Sequence, residues 1–325
     1  MPLRTAIQWT DFSSNPIRFR RADGERVNWA CVKVSPGCAH CYSATMAHRF
    51  GGEDYTAGEM AKLTPYLCEK ELRALLTSKA ISGKRVFVGD MTDIFGEWVS
   101  DEMLDRLFAA IYIRSDVTCQ VLTKRADRAQ KYFTARSYDQ RPLSGQWFQW
   151  GRFYRGVPPE QGWPIRNLWL GVSAENQQAA DARIPLLLQT PAAVRFVSAE
   201  PLIGPVSLSF AMRPPGPPDP PVTGPAWNRR MVEPRPWIDW VIVGGESGHG
   251  ARDCDVAWVR EIVKQCGWSG VPVFVKQLGS QPIIGRRAEG AFVPDYEYHF
   301  SDRKGGDPGE WAADLRVRQF PEDRS

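Results

Sequence analysis

Along this chain, short apolar runs rich in β-branched residues alternate with stretches of helical period. The runs are RVFVGD (85–90), CQVLTKR (119–125), NLWLGVSAE (167–175), VRFVSAE (194–200), IDWVIVGGE (238–246) and VPVFVKQ (271–277). Helical patterns fall at about 38–49, 64–79, 100–113, 126–133, 176–189 and 255–266. Strands that are apolar nearly throughout belong in a parallel sheet covered on both faces. Their alternation with helices predicts an α/β fold, either a parallel (β/α) barrel or an open doubly wound sheet. We expect the barrel, in partial form.

Two segments interrupt the rhythm. One, at about 135–166, is aromatic, basic and irregular. The other, at about 206–236, carries the run RPPGPPDPPVTGP, too rich in proline for the interior of a strand or helix. Both read as insertions in a single barrel domain over 1–281, followed by a polar C-terminal extension over 282–325. The first insertion suits a lid or substrate-contacting loop, or a surface excursion anchored by its tryptophans. The second suits a spacer.

Each apolar run ends in polar residues: Asp90, Thr92 and Asp93; Thr123, Lys124 and Arg125; Ser173, Glu175 and Asn176; Ser198 and Glu200; Gly244, Gly245, Glu246 and Ser247; Lys276 and Gln277. In parallel α/β folds the C-terminal strand ends line the ligand crevice, so these clusters are expected to meet at one polar site. Some of them, Asn176 for one, also suit helix N-caps. The Gly-Gly-Glu turn at 244–246 would let backbone approach a ligand, with Glu246 accepting from an amine or hydroxyl. A tight turn would need the same glycines. The chain has no G-x-G-x-x-G, phosphate-cradling G-x-x-x-x-G-K-[ST], G-x-S-x-G elbow or H-E-x-x-H pair. Its four histidines leave little imidazole for acid–base work. No catalytic residue is assigned, and His249 reads as a surface loop residue.

Three cysteines near the N-terminus, Cys31, Cys38 and Cys41, have C-x6-C-x2-C spacing within CVKVSPGCAHCY. The turn-forming Val34-Ser35-Pro36-Gly37 between them lets the chain fold back. Three thiolates on a centre that prefers four ligands leave one position open. Three readings compete: an iron–sulfur cluster with one open iron, a closed zinc site completed by His40 or His48, and unligated thiols. The seven cysteines are an odd number, mostly scattered, which suits a reducing cytoplasm rather than a secreted disulfide framework. A net charge of +4 permits an anionic partner without requiring one. No run approaches the ~18 apolar residues of a membrane span, so no membrane partner is expected.

The segments IQWTDFSSNP, KVSPGCAHCYSATMAHRF, FVGDMTDIF, LTKRADR, WLGVSAENQQAADARIPLLLQTPAAVRFVSAEPLIGP, DWVIVGGESGHGARDCDVAWVR and VPVFVKQLG resemble the phage-associated three-Cys-motif protein family. That family in turn looks like a divergent branch of the radical S-adenosylmethionine (SAM) enzymes. The resemblance implies a partial or complete (β/α) barrel, with a [4Fe-4S] cluster on Cys31, Cys38 and Cys41. Tyr42 stands at the aromatic position after the last cysteine. SAM would chelate the open iron and, on one-electron reduction, yield a 5′-deoxyadenosyl radical that attacks a substrate of unknown identity, nucleic acid or nucleotide being one class. An electron donor and a three-Cys-motif partner protein are the implied partners. The first cysteine gap is six where radical SAM enzymes have three. Their amine-binding Gly-Gly-Glu ends an early strand, whereas 244–246 ends a late one. Asp90 and Asp93 therefore rival Glu246 for the amine, with Lys124, Glu175 and Glu200 completing the expected cofactor pocket.

A second class of function is a zinc-containing nucleic-acid-binding or accessory protein without catalysis. The stretch holding Trp147, Trp150, Arg152, Tyr154 and Arg155 points to it, because rings and cations together suit single strands. The same side chains would serve equally as a hydrophobic anchor.

Overall fold

In a computed structural model, described over residues 2–137, 164–214, 237–288, 291–297 and 300–321, every expected apolar run forms a strand. The main sheet has eight strands: β1 (Leu3–Arg4), β2 (Phe12–Ser14), β6 (Arg85–Val88), β7 (Thr118–Thr123), β8 (Leu168–Ser173), β9 (Val194–Ala199), β10 (Trp240–Gly244) and β12 (Val273–Gln277). They lie side by side in that order, all parallel except β1. A doubly wound sheet reverses its strand order at a switch point; this one never does, which is the progression of a barrel.

The passed-over numbers belong to two small sheets. In one, β3 (Ile17–Arg20) lies between β4 (Arg26–Val27) and β5 (Thr64–Leu67), both antiparallel to it. In the other, β13 (Pro282–Ala288) lies between β11 (Cys254–Asp255) and β14 (Ala291–Glu297). The helices are α1 (Tyr42–Arg49), α2 (Ala57–Met60), α3 (Glu69–Thr77), α4 (Asp101–Ile113), α5 (Ala126–Ser137), α6 (Gln177–Leu188) and α7 (Val256–Ser269).

Two of the expected helices are corrected. Residues 64–67 are strand β5, not the first turn of a helix. Pro65 brings no N–H and biases Thr64 toward extended backbone, so the helix waits until Glu69. The stretch from 38 becomes α-helical only at Tyr42, because Pro36–Cys38 form a 3-10 turn and Cys41 is an extended N-cap.

The sheet is sharply curled, into half a barrel. Aliphatic residues on its outer face, such as Val86, Leu170, Val197, Val241 and Val275, join the main core. The alternating residues Phe87, Trp169, Phe196, Trp240, Ile242 and Phe274 form a second core on the concave face with Trp9. The ring of Trp9, from the β1–β2 turn, lies 6.3 Å from that of Trp240 in β10. Strands β2 and β10 are five places apart in the sheet, about 24 Å if it were flat. Only strong curling brings those rings together. Gly171 makes room for the plug, since a Cβ there would lie 2.4 Å from the ring of Phe196.

The C-terminal residues are woven into this architecture. Trp311 and Leu315 are buried in the main core, and Val317 and Gln319 hydrogen-bond to Val275 and Val273 of the edge strand β12. Phe320 then packs on Trp240 and Phe274 and lies under the Arg85 guanidinium. The tail thus covers the open edge of the half-barrel. No helix among the described residues is long and apolar enough to cross a membrane.

Candidate metal centre

The cysteine loop lies across the C-terminal ends of the parallel strands, tied to them one after another. From the loop after β6, Thr92 Oγ1 donates to Ala30 O at 3.0 Å, and Tyr42 donates to Asp90 O at 2.8 Å. Past the end of β7, Arg125 donates to Val32 O at 3.2 Å. Beyond β8, Glu175 accepts the Gly37 N–H at 3.3 Å. After β10, Glu246 meets His40 Nδ1 at 2.9 Å, and Arg252 donates to Pro36 O at 2.9 Å. Four of the six expected polar strand ends, those of β6, β7, β8 and β10, therefore bond to the three-cysteine segment.

Two buried carboxylates do most of the clamping. Glu175 is neutralised by Arg183 of α6 at 2.8 Å. Glu246 is held by two bonds from the Arg252 guanidinium, at 2.9 and 2.6 Å, and one from its backbone N–H at 3.0 Å. Burial alone would raise the pKa of Glu246, but the bonds from Arg252 and His40 outweigh it and bring the value down to about 2. Glu175 is also lowered: burial opposes it, and Ser35 and Arg183 prevail. Sequence reasoning left out Arg183 and Arg252. Their only local signal is an arginine a few residues beyond a glutamate, which many surface segments share.

The remaining expected residues fall at the same end of the sheet. Asp93 is saturated, accepting from Thr123 Oγ1 (2.7 Å), the Phe95 and Lys124 backbone N–H groups (3.1 and 3.0 Å) and Arg125 (3.1 Å). Burial raises the Asp90 carboxyl despite hydrogen bonds from Asn15 and Tyr42. The Lys124 ammonium reaches Ser173 Oγ at 3.2 Å, and Lys276 pairs with Glu200. A Cβ at Gly245 would lie 2.2 Å from Leu278 O, and one at Gly244 would lie 3.1 Å from Gln277 O. The close approach these glycines allow is to the chain leaving β12. His249 is exposed on the loop beyond. Trp147, Trp150, Arg152, Tyr154 and Arg155, and most of the proline-rich insertion, lie outside the described residues.

All seven cysteines are free, and Cys31, Cys38 and Cys41 are each half-buried. Cys31 is pushed up to about 11 by burial and by the charge of Asp93, against the pull of Arg125. Cys38 Sγ lies 3.9 Å from Ser35 Oγ. Among the described residues no three His, Cys, Asp or Glu side chains are gathered to hold a metal. The donor chemistry suits a thiophilic metal, since three unpaired thiols share one loop, but their side chains do not point to a common centre.

Fold and site together define an α/β protein with a curled, mostly parallel sheet whose strand ends clamp a three-cysteine loop. The chain belongs to a family described as protein of unknown function (DUF5131), which its residues 4–296 match. No curated protein and no solved structure matches it.

Proposed function

We propose that this protein is a radical-SAM-like iron–sulfur enzyme, with Cys31, Cys38 and Cys41 holding a cluster over the mouth of the half-barrel. The observation that carries this reading is the tethering of one three-thiol loop to the ends of β6, β7, β8 and β10. A loop so placed faces the crevice where parallel α/β folds bind their ligands. When bound, such a cluster supplies a single electron to a ligand at its open iron.

The chain's own residues prepare for that ligation. Cys31, Cys38 and Cys41 would hold the cluster after turning their side chains toward one another, with the loop backbone kept in place by Glu175, Glu246 and Arg252. Cys31, whose proton burial favours, would have to lose it to serve as a ligand, as a thiolate must. Arg125, bonded to the loop at Val32 O, and the first N–H groups of α1, which follows Cys41, would favour an anionic group held there. Asp90, half-buried and accepting from Asn15 and Tyr42, is our candidate acceptor for a ligand amine.

Anaerobic reconstitution with ferrous iron and sulfide tests the reading. We expect about four irons per chain and broad absorption near ~400 nm, abolished by C31A, C38A or C41A and retained by C254A. Protein that takes up zinc but no iron or sulfide would falsify it. The SAM part is tested separately, by calorimetric binding of SAM and by release of 5′-deoxyadenosine on reduction. Absence of both removes that part.

A further inference from the structure

The outer face of the small β4-β3-β5 sheet carries an arrangement that the metal reading does not use. Strand β3 alternates strictly, with Ile17 and Phe19 buried in the core and Arg18 and Arg20 turned outward. Its neighbours present Arg26 opposite Arg20 on one side, and Thr64 and Tyr66 opposite Arg20 and Arg18 on the other. This face therefore bears three arginines and no carboxylate from its own strands.

Arg20 and Arg26 form a like-charged cross-strand pair, an arrangement that works against sheet stability unless an anion lies between the two. Neither has an ion-pair partner among the described residues. The nearby acids are engaged elsewhere. Glu25 and Glu53 pair with Arg21, Glu71 pairs with Arg18, and Asp23 accepts the Glu25 backbone N–H.

Aromatic rings are interleaved with these cations. The Arg20 guanidinium lies over Tyr66, 4.3 Å from its centroid, and Arg18 lies over Trp29 at 5.0 Å. Trp29 in turn meets Phe50 edge-on at 6.1 Å, and Phe50 is 60% exposed. The band ends beside the metal loop, because Trp29 precedes Cys31 by two residues and Phe50 caps the helix that begins after Cys41.

We propose that this band binds a single-stranded nucleic acid. Arg20 and Arg26 take its phosphates, Phe50 stacks on a base, and the strand runs toward the mouth of the half-barrel. A small antiparallel sheet with rings and guanidinium groups on its solvent face is the platform that single strands favour, since every base has a face to stack. A duplex keeps its base faces covered and would leave Phe50 unused. The proposal does not depend on the cluster.

The test is fluorescence anisotropy of the full-length protein with labelled oligo-dT and oligo-U across a salt series. Wild type should bind with an affinity that falls steeply as salt rises. R20A/R26A should weaken binding at least tenfold and reduce the log–log salt slope by about 1.4, two phosphate contacts at ~0.7 each. F50A should weaken binding at every salt concentration with little change in slope. A control removing two exposed charges elsewhere, K79A/K264A, should behave as wild type. Circular dichroism and iron content of R20A/R26A should match wild type, so that this proposal and the cluster reading fail separately. Wild type that does not bind, unchanged binding by R20A/R26A, equal competition by poly-glutamate, or tighter binding of duplex would each overturn the proposal.

Discussion

Gly37 and Glu175 are packed so closely that the loop position could not carry a side chain. The Gly37 N–H donates to Glu175 Oε1 at 3.3 Å, and a Cβ on Gly37 would lie 2.9 Å from Glu175 Cδ. Glu175 has no room to yield, because its side chain is fully buried and held by Arg183. The contact joins the cysteine loop to the third parallel strand-end cluster in chain order. Gly37→Ala should therefore lift the loop at a cost of about 2 kcal/mol, in the range for overpacking. Urea melts would show the loss, and reconstituted iron content should fall with it.

Glu246 ties the same loop to β10, and its effect depends on pH. Its folded-state value of about 2 lies below the ordinary 4.5. The contact therefore stabilises the fold fully above pH 4.5, and that contribution is lost as pH falls toward 2. Glu175 shifts in the same direction. Glu246→Gln keeps the shape and removes the charge, and should cost about 2 kcal/mol at neutral pH, the scale of hydrogen bonds to a charged group. The difference from wild type should shrink steadily in urea melts between pH 5 and pH 2. A gap that stays constant with pH would show that charge is not what Glu246 contributes.

The concave face of the sheet is a packed plug, with Trp240 fully buried at its hub against Trp9, Trp169, Phe196, Phe274 and Phe320. Trp240→Ala should cost about 4 kcal/mol, within the range for large aromatic truncations. Gly171→Ala should cost about 2 kcal/mol by pressing on Phe196. Near-UV circular dichroism should weaken in the first variant more than in the second.

The tail beyond residue 307 behaves as part of the domain. Ending the chain there removes Trp311 and Leu315 from the core and uncovers both β12 and the rings that Phe320 shields. An exposed parallel edge beside aromatic surface invites association. The shortened protein should bind ANS strongly and scatter light at concentrations where the full chain is monodisperse.

Much of the fold could be read from the chain because its cause is local. A strand buried on both faces must be apolar nearly throughout, and helices between such strands need their own period, so six parallel strands were legible, while their order separated the barrel from a doubly wound sheet only in the structure. The cysteine spacing and the polar strand ends were legible for the same reason. The short sheet around β3 was not, because its strands have few residues and the extended start of β5 depends on Pro65. The clamps were equally hidden: Gly37 and Glu175 are 138 positions apart, and His40 and Glu246 are 206 apart. No pattern along the sequence records such pairs, which exist only because a curled sheet brings its strand ends under one loop. The sequence by itself determined the six long apolar strands, through the cost of exposing their apolar side chains to water. Only the tertiary structure decided that Glu175 and Glu246 hold the cysteine loop, because their partners in that loop, Gly37 and His40, reach them only once the sheet has curled.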